Sequence, residues 1–468
     1  MFPMDQTALI EQLFAEIKEL KARVMHLENV EKENVKLRKE NSLLKEKLSK
    51  YENPKNSRNS SIPPSKDENR PLKTKSLREQ TGAKVGGQKG HEGNTLKMVE
   101  NPDKTIDYIP EYCNECGSGL ENSAIEFVGK RQVVDIPIIK PEYIEHRIYQ
   151  KKCNCGHSTC ASFPDNVNAS ISYGANTESL IGYLFSRQYM PFARMKEFLN
   201  DAFHLPISEG GVHELLNRLV AKASPAYEMI KEKILASRVV GSDETGARIN
   251  GGKYWFWTWQ NDKVTYIVPS DNRGFATIQS AFENGLVNAV LIHDCWKSHF
   301  QTPAENHQLC TAHLLREINY FIEAHKDPWA IKFRQLLLDS LEVKQKMKHE
   351  DYYQTHPPKN QIHTRFQNLL QQKMNENIKD LVSFHKRMVK YEDYLFNFLK
   401  YPDVPADNNG SERAIRNIKV KQKISGQFKS FQGAMNFATL RSITDTAIKN
   451  GQSVLAALFS IAGLRVTD

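Results

Sequence analysis

The sequence predicts a multi-domain α/β protein, and three observations carry that prediction. A leucine-spaced helix opens the chain, two close cysteine pairs sit among strand-like segments, and a strand-rich second half gives way to helices. The length permits it, since 468 residues with 40% hydrophobic content suffice for two or three domains with a sizeable core. The N-terminus "MFPMDQTALIEQL" lacks a basic stretch leading into an apolar run, and "VLAALFSIAGL", the longest apolar stretch, is too short to cross a bilayer. A cytoplasmic chain with no membrane partner is expected. Seven cysteines, four of them in close pairs, then favour metal over disulfides. The net charge of +9 is uneven: residues 53–94 carry nine Lys/Arg against four Asp/Glu, and residues 413–430 carry six against none. Two basic zones point to a polyanionic partner.

Residues 1–51 form the first unit. Leu13, Ile17, Leu20, Val24 and Leu27 alternate spacings of four and three, as do Asn34, Leu37, Asn41, Leu44, Leu48 and Tyr51. This is the seam of a leucine-zipper-like coiled coil, although a long helix packed on its own protein gives the same spacing. The two halves disagree in phase, so a distortion is expected near Val30. Asn34 and Asn41 fall where buried asparagine fixes a dimeric register. Residues 52–108, rich in Asn, Ser, Pro, Gly and Lys, cannot bury a core and read as a basic linker or DNA-binding arm.

Residues 109–162 contain "CNEC" at 113–116 and "CNC" at 153–155, separated by "RQVVDIPI" and "YIEHRIYQKK", which alternate like strands. Cys113, Cys116, Cys153 and Cys155 on a small β unit would make a structural zinc site. His157 and Cys160 compete as ligands, and reduced, unliganded cysteines are the plain alternative. Residues 170–235 read as helical, with the turn "LPIS" and a second helix capped by Ser208. That is the grammar of a helix-turn-helix and equally of an ordinary helical hairpin.

In residues 236–324, "SRVVGSDETGARINGGKYWFWTWQNDKVTYIVPSD" reads as three strands with turns at Gly251, Gly252 and near Asp262. A helix through Ala276 to Phe282 leads into "NAVLIHDCW", a buried strand ending in an acid. The order β-β-β-α-β, with Asp243 on the first strand and Asp294 just past the fourth, is the plan of a ribonuclease H-like core. That plan sets the two carboxylates on neighbouring strands. "HQLCTAHLLREINYF" supplies a fifth strand and a helix, residues 325–403 an all-helical insertion, and residues 404–468 the closing helices. In "DNNGSERAIRNIKVKQK" the N-cap residues Asn408, Asn409 and Ser411 precede a helix on which Glu412, Arg416 and Lys419 share a stripe. Alone, Glu412 is a helix-dipole partner. Beside Asp243 and Asp294 it completes an Asp-Asp-Glu set.

Taken together, the N-terminal helix, "NSSIPPSK", "GGQKGHEG", the paired cysteines, "DETG", "HDCW", "LCTAHLLRE" and "NNGSERAIR" resemble the successive landmarks of the insertion-sequence-sixty-six family of bacterial transposases. The resemblance implies Asp243, Asp294 and Glu412 as catalytic acids. It also implies a Cys-x-x-His element of Cys310 and His313, for which core packing is the alternative. Three carboxylates suit two magnesium ions, with manganese able to replace them, about 3.5 to 4 Å apart. The expected reaction is cleavage at element ends, exposing a 3′-hydroxyl that attacks target DNA. Arg413, Arg416, Lys419, Lys421 and Lys423 would hold the DNA backbone. The implied partners are double-stranded DNA at element ends and target, a second copy or more through the coiled coil, and accessory proteins of the element, all at the bacterial nucleoid. Two other classes stay open. A catalytically silent DNA-binding accessory or regulatory protein would show no metal-dependent cleavage, and a ribonuclease H-like nuclease would cut without joining.

Overall fold

The computed structural model describes residues 6–60, 67–69, 96–164, 167 and 169–464. Most of the expected basic arm, "GGQKGHEG" included, lies outside them. Helix α1 (Gln6–Glu52) runs unbroken through Val30 for 47 residues. Its seam residues Leu13, Ile17, Leu20, Val24 and Leu27 are exposed, so the stripe is not spent on the chain's own core. The segment after it folds into a small knob. Asn56 Oδ1 accepts from the Arg58 amide at 2.8 Å, and Asn59 Oδ1 accepts from the Asn56 amide at 2.8 Å.

The cysteine segment carries one short hairpin, β1 (Gln150–Lys152) and β2 (Ser158–Cys160). "RQVVDIPI" is not a strand, contrary to its alternation. Phe127, Val133 and Val134 stay exposed, so no packed face holds that stretch extended.

A helical layer follows: α2 (Ala175–Ser186), α3 (Phe192–Phe203) and α4 (Glu209–Leu235). His204 ends α3 in the left-handed conformation (φ 52°), and the Ser208 hydroxyl caps α4 by accepting from the Gly211 amide at 3.0 Å. The turn matches expectation. Yet α4 buries Val212, Leu215, Leu216, Leu219 and Ala223, and Tyr227 donates to the Ile267 carbonyl at 2.7 Å. Its burial makes it a core strut.

The sheet comprises β3 (Val239–Ile249), β4 (Gly252–Gln260), β5 (Thr265–Ser270), β6 (Leu286–His293) and β7 (Ala304–Leu309), in the order β5-β4-β3-β6-β7. Strands β3 to β5 form an antiparallel meander, and β3, β6 and β7 run parallel. Asn250 and Gly251, both at positive φ (46° and 76°), make the two-residue turn between β3 and β4. Helices α5 (Phe275–Ala281) and α6 (Lys297–Phe300) flank β6. Trp257 and Trp259 of β4 are fully buried. Truncating either to alanine would cost about 3 to 5 kcal/mol.

Helices α7 (Thr311–His325), α8 (Pro328–Lys346), α9 (Pro357–Leu370) and α10 (Lys379–Lys390) build a second core around Phe321, Phe333, Phe366 and Phe384. Helices α8 to α10 fall within residues 325–403, read from the sequence as helical, and α7, read there with the sheet, packs with them. This second core is fastened to the β7 edge, where Asn397 Nδ2 donates to the His307 carbonyl at 2.6 Å and Gln308 Oε1 accepts from the Phe398 amide at 2.9 Å. The knob after α1 docks here too. Lys55 pairs with Asp380 at 2.7 Å, and Asn59 donates to Glu323 at 2.8 Å. Helices α11 (Asn409–Ser425), α12 (Phe431–Lys449) and α13 (Val454–Ala462) close the chain, with α12 buried against β5 and α4. No described helix is long and apolar enough to cross a membrane.

Candidate functional site

The parallel register sets the geometry of the acids. Val239 lies opposite Val290 and Gly241 opposite Ile292, so Asp243 and Asp294 each stand two residues beyond the last paired residues of neighbouring strands. Adjacent strands lie about 4.8 Å apart. Glu412 stands in the first turn of α11. Burial first, then the charges of Asp294, Glu244 and Glu412, push the Asp243 carboxyl well above the usual range.

Helix α11 is held there by its cap residue. Asn408 spends its side chain on the sheet: Nδ2 donates to the Ser242 carbonyl at 2.7 Å, beside Asp243, and Oδ1 accepts from the Ser411 hydroxyl at 2.7 Å. Its amide donates to Cys310 Sγ at 3.2 Å. Gly241 makes this approach possible, because a Cβ there would lie 2.5 Å from Asn408 Oδ1 and 2.8 Å from Ser411 Oγ.

Each acid has protein partners. Arg316 Nη2 donates to Glu412 Oε1 at 2.9 Å, and His313 Nε2 lies 3.8 Å from that oxygen. Burial, then the Arg316 charge, lowers the His313 pKa. The Trp296 amide donates to Asp294 Oδ1 at 2.8 Å, and His299 Nε2 lies 3.1 Å from Glu244 Oε2 and 3.9 Å from Asp294 Oδ1. Burial works to raise the Glu244 pKa, but the bond and charge of His299 and the charge of Arg273 hold it below its ordinary value. Glu244, Arg273, His299 and Arg316 were not singled out in the sequence. Glu244 adjoins Asp243 in "DETG", and Arg316 stands one turn beyond His313 in "LCTAHLLRE". Cys310 is buried at the start of α7, so the two halves of the Cys-x-x-His element separate: the cysteine packs and the histidine faces Glu412.

Of the five cations expected to hold DNA, Arg413, Arg416 and Lys423 are exposed. Lys419 is half-buried and donates to the Gly246 carbonyl. Lys421 is a correction. It is buried against the Phe185 ring and donates to the Tyr189 and Met190 carbonyls, both at 3.3 Å, and burial pushes its pKa down to about 8.

In the cysteine segment, Cys113 and Cys153 each open a turn closed by the following glycine. The Gly117 amide donates to the Cys113 carbonyl and the Gly156 amide to the Cys153 carbonyl, both at 2.9 Å, with φ of 69° and 89°. The Ser118 hydroxyl lowers the Cys116 pKa to about 7. The thiolate of Cys116 is thereby favoured, the form zinc binds. Among the described residues, however, no three His, Cys, Asp or Glu side chains are gathered closely enough to hold a metal ion as they stand. The two turns ride on a segment without a core to fix their separation, and Glu412 is engaged by Arg316.

A mixed α/β sheet-and-helix core, behind a small cysteine-paired β unit and a long N-terminal helix, defines a multi-domain α/β class of protein. The chain belongs to the Transposase IS66 family, whose model matches residues 171–436, more than half its length. The zinc-finger binding domain of that transposase matches residues 110–156, and a family of unknown function matches residues 3–97. No curated protein matches the chain.

Proposed function

We propose that this transposase acts through Asp243, Asp294 and Glu412 on a ribonuclease H-like core, cutting DNA at element ends and joining them to a target. The observation that supports the reading is the anchoring of α11 by Asn408 to the Ser242 carbonyl, which roots the helix carrying Glu412 on the strand carrying Asp243. The strand order, an antiparallel meander extended by two parallel strands, supports the fold assignment. The acids offer only oxygen donors, and burial with neighbouring negative charge raises the Asp243 pKa, which fits hard divalent cations. A magnesium pair would supply activation of the attacking oxygen and neutralise charge on the transferring phosphoryl group. Arg316 releases Glu412 for that role, and His313 lines the same carboxylate. Arg413, Arg416 and Lys423 hold phosphates on the exposed face of α11. Cys113, Cys116, Cys153 and Cys155 hold a structural zinc, and α1 pairs with a second copy.

Binding and cleavage measured together on Glu412→Gln test the proposal. As a dipole partner Glu412 is worth only about 0.3 to 1 kcal/mol, so that role leaves cleavage intact. The proposal expects cleavage of end-containing DNA in magnesium to collapse while binding persists. Near-normal cleavage by the folded variant returns Glu412 to an ordinary helix-start acid.

A further inference from the structure

Four side chains at the same end of the sheet alternate cation and ring, and the chemistry above uses only one of them, Arg273, which pairs with Glu244 Oε1 at 2.8 Å. Lys253 Nζ lies 5.2 Å from the centre of the Trp255 ring, and the Arg273 guanidinium stands 4.7 Å from that ring and 3.8 Å from the ring of Trp296. They come from the start of β4, the loop after β5 and the loop after β6. The topology makes them meet: Trp255 pairs with Ser270 at the end of β5, and the β3–β4 hairpin runs on past the last residues of β6.

Trp296 remains 36% exposed. It is nonetheless fixed in place, since its indole donates to the Arg273 carbonyl at 3.3 Å and its amide donates to Asp294 at 2.8 Å. A ring needed only for packing would be buried, as Trp257 is two residues beyond Trp255. Here a large aromatic surface is held toward solvent, backed on one side by a guanidinium and tied directly to one of the acids. Lys253 is exposed beside Trp255, at the other end of the ladder.

We propose that this ladder binds an unpaired nucleobase at a DNA end. The free face of Trp296 stacks on the base, Arg273 backs the ring, and Lys253 takes an adjoining phosphate. A base inside a duplex has no free face to offer, so the ligand is a frayed or single-stranded nucleotide. The site rests on the transposase reading for DNA as its ligand. It adds that a base withdrawn here presents its neighbouring phosphate to Asp294.

The test uses the full chain without divalent cation, so that nothing is cut. Affinity is measured for a blunt duplex and for the same duplex ending in a short single-stranded tail that carries 5-iodouracil. The wild-type protein should prefer the tailed DNA by about fivefold or more. Trp296→Ala should lose that preference while keeping its affinity for blunt DNA, Trp296→Phe should retain much of it, and irradiation should crosslink the tail to the peptide containing Trp296. Equal affinities in the wild type, or an unchanged preference in Trp296→Ala, overturns the site. If the alanine variant melts early, the phenylalanine variant and the crosslink decide. Failure of the wild type to bind either DNA overturns the transposase reading instead.

Discussion

Lys421 and Lys423 sit two residues apart in the same basic run, and the structure gives them opposite work. Lys423 is exposed, so Lys423→Ala should weaken DNA binding at low salt and reduce its salt slope by about one, as binding titrations would show. Lys421 is buried, with a folded pKa of about 8 against an ordinary 10.5. Its contribution to stability is therefore full above pH 10.5 and falls as pH drops to about 8, because the unfolded chain takes the proton first. Below that the loss is constant. Lys421→Met should remove this dependence, a swing on the order of 3 kcal/mol, and leave DNA binding unchanged. Thermal melting of both proteins between pH 8 and 10.5 checks it; parallel curves would return Lys421 to the surface. Helical spacing puts Lys421 on the Ala414–Ile418 stripe and Lys423 off it, a difference hidden by the basic run. What buries Lys421 is the α2–α3 turn at Tyr189 and Met190, far away along the chain.

The elements were far more legible than their contacts. The turn between β3 and β4, the helix before β6 and the Ser208 cap all follow from local chemistry; the cap stands where the sequence puts it, while the turn (Asn250–Gly251) and the helix (Phe275–Ala281) each sit one residue earlier than expected. What alternation could not reveal was whether a partner face exists, and so "RQVVDIPI" failed as a strand. Pairings such as Glu412 with Arg316 depend on how α7 and α11 approach, which spacing does not encode. Asn408 stands at the N-cap of α11 as its residue type implies, but its side chain ties the helix to β3 in place of capping it. Gly241→Ala should push against that tie. A loss of about 1 to 3 kcal/mol from overpacking is expected, with cleavage falling more than DNA binding. Unchanged melting and cleavage would mean that α11 is held by other contacts. In the cysteine unit, chelation should release one zinc per chain and open residues 110–156 to protease while the sheet keeps its melting transition. Purified protein without zinc, its thiols freely alkylated, would refute the assignment.

At the scale of the molecule, α1 is the part whose apolar stripe has no internal use. Replacing Leu20 and Leu27 together with lysine should convert the wild-type oligomer to a monomer in light scattering, and should leave the melting of the core unchanged because both side chains are exposed in the single chain. A wild-type monomer at all concentrations would remove the coiled-coil role.

The knob at Asn56 and Asn59 then acquires a mechanical meaning. Helix α1, at 47 residues, is a rod about 70 Å long, and near its root it is clamped to α7 and α10 through Glu323 and Asp380. Over that lever a tilt of about 5° at the clamp sweeps the far tip through about 6 Å. Two such rods zipped together would share one angle, so the stiffness of a few hydrogen bonds around two asparagines would gauge how far apart a pair of catalytic clefts is held.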